Sequence, residues 1–291
     1  VIRLREQNEK NNNKKFSGVA ASVDCNSRWV SLDPFRGTIA AVAESARNVS
    51  CVGAKPVAIT NNLNFSSPET EIGYWQLSSS CLGISEACKV LETPVTGGNV
   101  SLYNESKNND NEVTPINPTP VIGMVGKIDN VGKAINSQWK NINDQIWLIG
   151  SYKSEKTIAA SSYLDYIHGE ITGRPPKIDL MDEKSCQSFL RNAILKGFVI
   201  SSHDISDGGL AIALSECCIL SSKGATIKLQ KDVNRDDNLL FAEGGSRIVF
   251  SIDKTKEKEW LKYLKQDQIN SQSSLYIKKI GYVSAETLNI K

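Results

Sequence analysis

The stretch Thr93–Glu105, TPVTGGNVSLYNE, sets the strongest limits on what can form around it. A short apolar run ending in Pro94 and Val95 reads as a buried strand that stops at Gly97 and Gly98. Two glycines in succession remove Cβ where the chain turns, so backbone N–H groups can meet a ligand's oxygens at close range. Asn99 and Ser101 then alternate with Val100 and Leu102, which puts an amide and a hydroxyl on one strand face. Such groups hold a phosphate or a hydrated magnesium ion. Glycines placed for packing at a β-bulge fit the same pattern, and the residues alone leave both readings open.

At 291 residues, 40% of them hydrophobic, the chain carries core material for about two domains. Its 34 basic and 32 acidic residues leave a net charge of +2 with no clustering, which argues against nucleic acid and against a polybasic membrane anchor. No run approaches the ~18 apolar residues of a membrane span. The seven cysteines (Cys25, Cys51, Cys81, Cys88, Cys186, Cys217, Cys218) are odd in number and form no C-x-x-C pair. Free thiols in a reducing, cytoplasmic compartment are the expectation, not a zinc or thioredoxin-like site. Val1–Leu4 reads as a strand already under way, so a piece of a longer protein is expected.

Glu6–Lys15 is a polar Asn/Lys-rich connection, and Phe16–Cys25 alternates as a strand. Asp33 and Pro34 form a helix start, with Ile39, Val42, Ala43, Ala46 and Val49 on one face and Gly53 as its stop. Pro56–Asn64 reads as a buried strand with a polar end. Pro68 and Glu69 open a long helix whose stripe Tyr74, Leu77, Cys81, Ile84, Cys88 and Leu91 is expected in the core. Ser106–Glu112 reads as a loop and Pro120–Ile128 as a strand, closing a first α/β unit assigned to residues 1–140.

The second unit, 141–291, reads as α+β. Its strands are expected at Gln145–Gly150, Phe198–Ser202, Ala225–Leu229, Arg247–Ile252 and Ser274–Val283. Its helices are expected at Thr157–Ile167, Asp179–Lys196, from Leu210 onward, and near Lys256–Leu264. Connections are short, so the two units are expected to sit tightly against each other.

Three polar clusters fall at strand ends or helix starts, where binding groups gather in α/β folds. They are Thr60–Phe65 (TNNLNF), the GGN stretch, and Ser202–Gly209 (SHDISDGG). In the third, Ser206 or Asp207 is a suitable N-cap, and the helix start at Ser206 and Gly208 is a candidate anion contact. His203, Asp204 and Ser206 are too close in sequence to assemble a hydrolase triad. With His168 the only other histidine, a His-rich metal site is excluded.

In order, DCNSR (Asp24–Arg28), LDP (Leu32–Pro34), IAAVAE (Ile39–Glu44), NNLNF (Asn61–Phe65), GISEAC (Gly83–Cys88), GGNVSLYNE (Gly97–Glu105) and SHDISDGG resemble the C-terminal half of the phosphoribosylformylglycinamidine synthase family. The resemblance covers nearly the whole chain. It implies one half of a two-fold repeated fold like that of aminoimidazole ribonucleotide synthetase: an N-terminal sheet domain with helices on it, then an α+β domain.

The resemblance further implies an ATP- and Mg2+-dependent ligase. ATP phosphorylates the amide oxygen of formylglycinamide ribonucleotide, and glutamine-derived ammonia then displaces phosphate to form the amidine. Position by position, Asn61 and Gly98 would contact ATP, Asn99 would ligate magnesium and Ser101 would bind the ribonucleotide. Asn61 stands where the family has aspartate. Phe241–Arg247 (FAEGGSR) departs from the family's E-S-Q-x-R form, so Glu243 and Arg247 read as structural. The family's catalytic histidine, and the lysine and acidic groups that grip ATP and magnesium, belong to the other half. The implied partners are that N-terminal half, a glutaminase and a small accessory subunit. By itself the chain is expected to be inactive and to form a homodimer through its exposed sheet. Alternatives are another synthetase or kinase of the superfamily, such as selenophosphate synthetase or thiamine-phosphate kinase, or a non-catalytic nucleotide-binding half.

Overall fold

Asp33 starts the central helix of the first unit as its sequence predicts: the side chain accepts a hydrogen bond from Arg36 N at 3.0 Å, and Pro34 takes the first helical position. The computed structural model describes residues 1–4, 16–107, 109, 112–229, 235–270 and 274–291. The expected Glu6–Lys15 connection lies outside them. The elements of the first unit are β1 (Ile2–Arg3), β2 (Gly18–Asp24), α1 (Ser27–Leu32), α2 (Pro34–Cys51), β3 (Lys55–Asn64), α3 (Glu71–Leu91), β4 (Val95–Ser101), β5 (Glu105–Lys107), β6 (Val113–Pro115) and β7 (Thr119–Ile128).

One sheet runs in the order β1-β2-β7-β3-β4, antiparallel except for the β3–β4 pair. Helices α2 and α3 cover one face, burying Ala20, Ile59, Leu63, Ile122, Met124 and Ile128 against Val42, Ala46, Ile84 and Cys88. Ala21, Val23, Val121, Val125 and Asn62 alternate with that inward set and point the other way. No described helix covers this second face, and Val23 is 70% exposed there.

Several expectations need correction in this unit. Gly97 and Gly98 do not end a buried strand: β4, exposed at every position but its last, passes through both in register, and the extra residue of the register shift opposite Ile59 and Thr60 is Thr96. The predicted core stripe of α3 holds in its second half and, half-buried against the core, at Leu77. Ile84, Cys88 and Leu91 are buried, whereas Tyr74 and Cys81 face solvent. The first turns of α3 instead bury Gly73 and Ser80, so small residues set the close approach and the larger ones turn outward. That helix also begins at Glu71, capped by Thr70, and not at Pro68. Finally, part of the expected loop Ser106–Glu112 is strand: Glu105–Lys107 pairs with Val113–Pro115.

The second unit contains β8 (Gln145–Ser151), α4 (Ser162–His168), α5 (Leu180–Leu195), β9 (Val199–Asp204), α6 (Gly209–Ser221), β10 (Gly224–Ile227), α7 (Asp236–Phe241), β11 (Ile248–Ile252), α8 (Glu257–Asn270), β12 (Leu275–Ser284) and β13 (Leu288–Ile290). Helix α4 is shorter than expected because Ser161, not Thr157, caps it. The sheet order is β13-β10-β12-β8-β11-β9. Phe250 faces α5 and α8 with Phe189 and Trp260, while its neighbour Val249 faces α6 with Leu214 and Cys217. This sheet is therefore covered on both sides, and the first on one only.

The units are joined through buried groups. Trp29 Nε1 of α1 donates to Ala160 O at 2.9 Å, and Arg47 of α2 donates to Glu183 of α5 at 2.9 Å.

Candidate functional site

The alternation of β3 and β4 sorts the predicted site residues onto two sides of one sheet edge. The register pairs Asn61 with Gly98, Asn62 with Asn99, Leu63 with Val100 and Asn64 with Ser101. Asn61 and Gly98 thus share the helix-covered face, at its rim, while Asn99 and Ser101 share the open face. Each pair comes together, and the strand edge lies between the two. A Cβ on Gly98 would run into Asn61 Oδ1 and stand 2.7 Å from Asn61 O, so the Asn61 carboxamide takes the volume that a side chain at Gly98 would need. Gly97, one residue earlier, has nothing within 4 Å.

On the open face the polar side chains are tied to one another. Asn99 Nδ2 donates to Asn62 Oδ1 at 3.1 Å. Ser101 Oγ donates to Asn104 Oδ1 at 3.2 Å, and Asn104 Nδ2 donates to Ser101 O at 2.8 Å. Asn64 Nδ2 donates to Asn62 O at 3.2 Å. The loops beyond the two parallel strands are zipped together as well: Asn104 N donates to Phe65 O at 3.1 Å and Ser67 N to Glu105 Oε1 at 3.0 Å. Tyr103 sits there in the left-handed region at φ 58°, its hydroxyl donating to Glu69 Oε1 at 3.1 Å. A non-glycine residue held in that conformation stores strain, a recurring property of ligand-binding loops. The carboxyl ends of parallel strands are also where open α/β sheets take their ligands.

Two of the predicted residues lie elsewhere and do not offer the expected anion contact. Helix α6 has Gly208 at its N-cap, φ 75°, with no side-chain cap; neither Ser206 nor Asp207 serves. Gly208 N donates inward, to Glu243 Oε1 at 2.7 Å, and the same oxygen accepts from Ser162 N at 2.8 Å. The protein's own carboxylate fills this helix start, which makes Glu243 the structural residue its sequence suggests. Burial pushes the Glu243 carboxyl up even so.

A second concentration of charge lies in the seam between the units. Asp24 accepts from Asn48 Nδ2 at 2.9 Å and from Ser45 Oγ at 2.7 Å, and Arg47 Nη1 stands 3.6 Å from Asp204 Oδ2. Burial alone would raise the Asp204 carboxyl, but the His203 hydrogen bond and the Arg47 charge hold it below the usual carboxylate range. For Glu44 the Arg47 charge does not suffice: burial, and then the charge of Asp204, outweigh it and push the carboxyl up to about 8. The adjoining cavity, lined by Glu44, Arg47, Asp207 and Gly245, has about 10 Å³ of room, enough for at most one water. Among the described residues no group of three or more His, Cys, Asp or Glu is arranged to hold a metal ion. Sequence reading passed over this cluster, although Glu44, Arg47 and Asn48 share a face of α2 at i, i+3 and i+4.

A measurable pH dependence follows. A carboxyl whose folded value lies above its unfolded one contributes stability below the unfolded value, and loses it as pH rises through the folded value. For Glu44 that window runs from 4.5 to about 8. Glu44→Gln is expected to remove this loss and to be more stable than the parent at pH 9 by up to ~5 kcal/mol, each unit of the window being worth ~1.4 kcal/mol. Urea unfolding at pH 5, 7 and 9 checks it, and equal pH slopes for the two proteins would refute the assignment.

Both units of the fold, the one-sided sheet and the two-sided one that follows it, are matched by the sequence comparisons. The family model for AIR synthase related protein, N-terminal domain, matches residues 12–128, and that for the C-terminal domain matches residues 141–287, so the chain belongs to the AIR synthase related proteins. Within that family it is similar to the phosphoribosylformylglycinamidine synthase subunit PurL of Prochlorococcus marinus strain MIT 9312, at 86% identity over 291 residues. It is also similar to that of strain MIT 9303, at 53% identity over 294 residues. The chain spans 37% of the length of these relatives.

Among solved structures the fold is shared with T. maritima PurL complexed with FGAR, at TM-score 0.73 and 17% identity, covering 94% of this chain and 43% of that one. It is also shared with thiamine-monophosphate kinase from Stenotrophomonas maltophilia, at TM-score 0.59 and 16% identity, covering 99% of this chain and 91% of that one. Half of a repeated synthetase fold, expected from the sequence, is the fold observed.

Proposed function

We propose that this chain supplies the C-terminal portion of an ATP-dependent phosphoribosylformylglycinamidine synthase, a carbon–nitrogen ligase of purine biosynthesis in the cytoplasm, with domains at 1–140 and 141–291. The observation that carries the proposal is the polar end of β3 and β4 on an uncovered sheet face, in a chain 86% identical over its full length to a synthase subunit. An amide oxygen is a poor leaving group. Phosphorylation by ATP makes it a good one, and ammonia from a glutaminase partner then displaces phosphate. Such catalysis is mostly positioning and charge neutralisation.

In this reading Gly98 lets the nucleotide approach the backbone, and Asn61 contacts it as a neutral amide. Ser101, oriented by Asn104, binds formylglycinamide ribonucleotide. Asn99 fits magnesium as one neutral oxygen ligand, and carboxylates, which magnesium sites require, come from outside the described residues. Magnesium supplies the neutralisation of phosphate charge. The open face of the first sheet pairs with the N-terminal half, and a small accessory subunit completes the assembly.

The test joins this chain to the N-terminal portion of the 86%-identical relative. The chimera is expected to turn over formylglycinamide ribonucleotide with ATP and ammonium. The 291-residue chain alone is expected to show no turnover and to run as a homodimer in light scattering. An inactive, folded chimera refutes the synthase reading, and a monomeric mass refutes the sheet pairing. The kinase fold of similar length favours one second reading, a self-sufficient phosphotransferase. ATP-dependent phosphorylation of a small substrate by the isolated chain would establish that reading instead.

A further inference from the structure

A carboxamide is nearly symmetric in shape and opposite in chemistry at its two ends. An asparagine that ligates a cation has to present oxygen, and a half-turn about its last torsion presents an NH2 group that repels the cation. On an exposed edge strand nothing in the backbone chooses between the two. Asn99 occupies such a place, in a strand exposed at every position but its last. Its side chain's one hydrogen-bond partner among the described residues is Asn62, its register neighbour on β3, whose Oδ1 accepts from Asn99 Nδ2 at 3.1 Å. With the nitrogen so engaged, Asn99 Oδ1 is left free on the open face.

Asn62 is held in turn. Its strand is central, paired with β7 through Val121 on one side and with β4 on the other. Its own carbonyl accepts from Asn64 Nδ2 at 3.2 Å. The side chain that fixes Asn99 therefore stands on anchored backbone, while Asn99 itself stands on the edge.

We infer that Asn62 is a positioning residue: its side-chain oxygen locks the carboxamide of Asn99 with the Asn99 oxygen turned toward the cation that accompanies the nucleotide. The inference rests on the proposed reading of Asn99 as a magnesium ligand. It assigns to the second residue of the NNLN run a task that its sequence position, between a nucleotide contact and a buried leucine, does not announce.

The test is calorimetric titration of Mg2+ into the chimera saturated with a non-hydrolysable ATP analogue. Asn62→Ala is expected to weaken cation affinity about fivefold, the worth of one ordinary hydrogen bond. Asn62→Asp, which keeps an acceptor facing Asn99 Nδ2, is expected to restore it. In an Asn99→Ala background, where nothing is left to orient, Asn62→Ala is expected to have no further effect. Thermal melts of each variant verify folding, and the exposed position of Asn62 makes it tolerant. Unchanged affinity in Asn62→Ala, with affinity lost in Asn99→Ala, overturns the positioning role and leaves the proposed function standing. Equal losses in Asn62→Ala and Asn62→Asp, or a further loss in the Asn99→Ala background, also overturn it. Unchanged affinity in Asn99→Ala overturns both the inference and the metal assignment beneath it.

Discussion

Arg47→Ala is expected to lower the stability of the chain by about 3–5 kcal/mol, the usual cost of stranding a buried charge. The guanidinium is nearly fully buried and donates through Nε to Glu183 Oε1 at 2.9 Å, with Nη2 3.5 Å from Glu183 Oε2. It also faces Asp204 at 3.6 Å. Glu183 is 0% exposed and cannot turn to water. Its remaining partners, Gln187 Nε2 at 2.9 Å and Ser246 N at 2.6 Å, bring hydrogen bonds without a full positive charge. Removing Arg47 therefore leaves two carboxylates in the seam between α2, α5 and the end of β9. Arg47→Lys keeps the charge but not the fork, so a smaller loss is expected. The check is a urea midpoint that drops with an unchanged slope. A midpoint for Arg47→Ala within error of the parent would show that the seam contributes nothing.

Gly98→Val is expected to reduce synthase turnover of the chimera by about 10²-fold, the scale of an ångström-sized misplacement. Its Cβ would meet both the side chain and the backbone oxygen of Asn61, and backbone on a central strand yields less readily than a side-chain tip. Either β4 moves away from β3, carrying Asn99 and Ser101 with it, or Asn61 leaves its place. Gly97→Ala is the internal control, since open space surrounds that position. Equal activities for the two variants would show that the close approach at Gly98 has no part in the site.

Much of this was legible because it is local. Asp33 and Pro34 announced a helix start, and the alternation of Asn99 and Ser101 with apolar neighbours put them on one face, where the register with β3 places them. Long-range facts were not legible. The sequence reading stopped a strand at Gly97 because paired glycines are common turn punctuation, yet pairing with the anchored strand β3 carries β4 through them. Tyr74 and Cys81 were read as core because their spacing is helical, but spacing reports which residues share a face and not what that face meets. The anion site expected at Gly208 is occupied by Glu243, more than thirty residues later in the chain. The partner of Asn99 escaped for the same reason: NNLN shows the alternation, and only strand pairing shows which amide meets which.

The order of strands also has a consequence for synthesis. In the second sheet β8 lies between β12 and β11, so the first strand of that unit to leave the ribosome finds both neighbours only after β9, β10 and the helices between them have emerged. The first sheet is complete once β7 has emerged. Vectorial synthesis favours domains that close early, and here the earlier domain forms with one side bare while the later one is still an unpaired strand and its helices. At every stage of that order the open face of the first sheet, with Val23 and Val125 exposed on it, gains no cover from a described helix of the second unit, so whatever shields it has to dock from outside these two units.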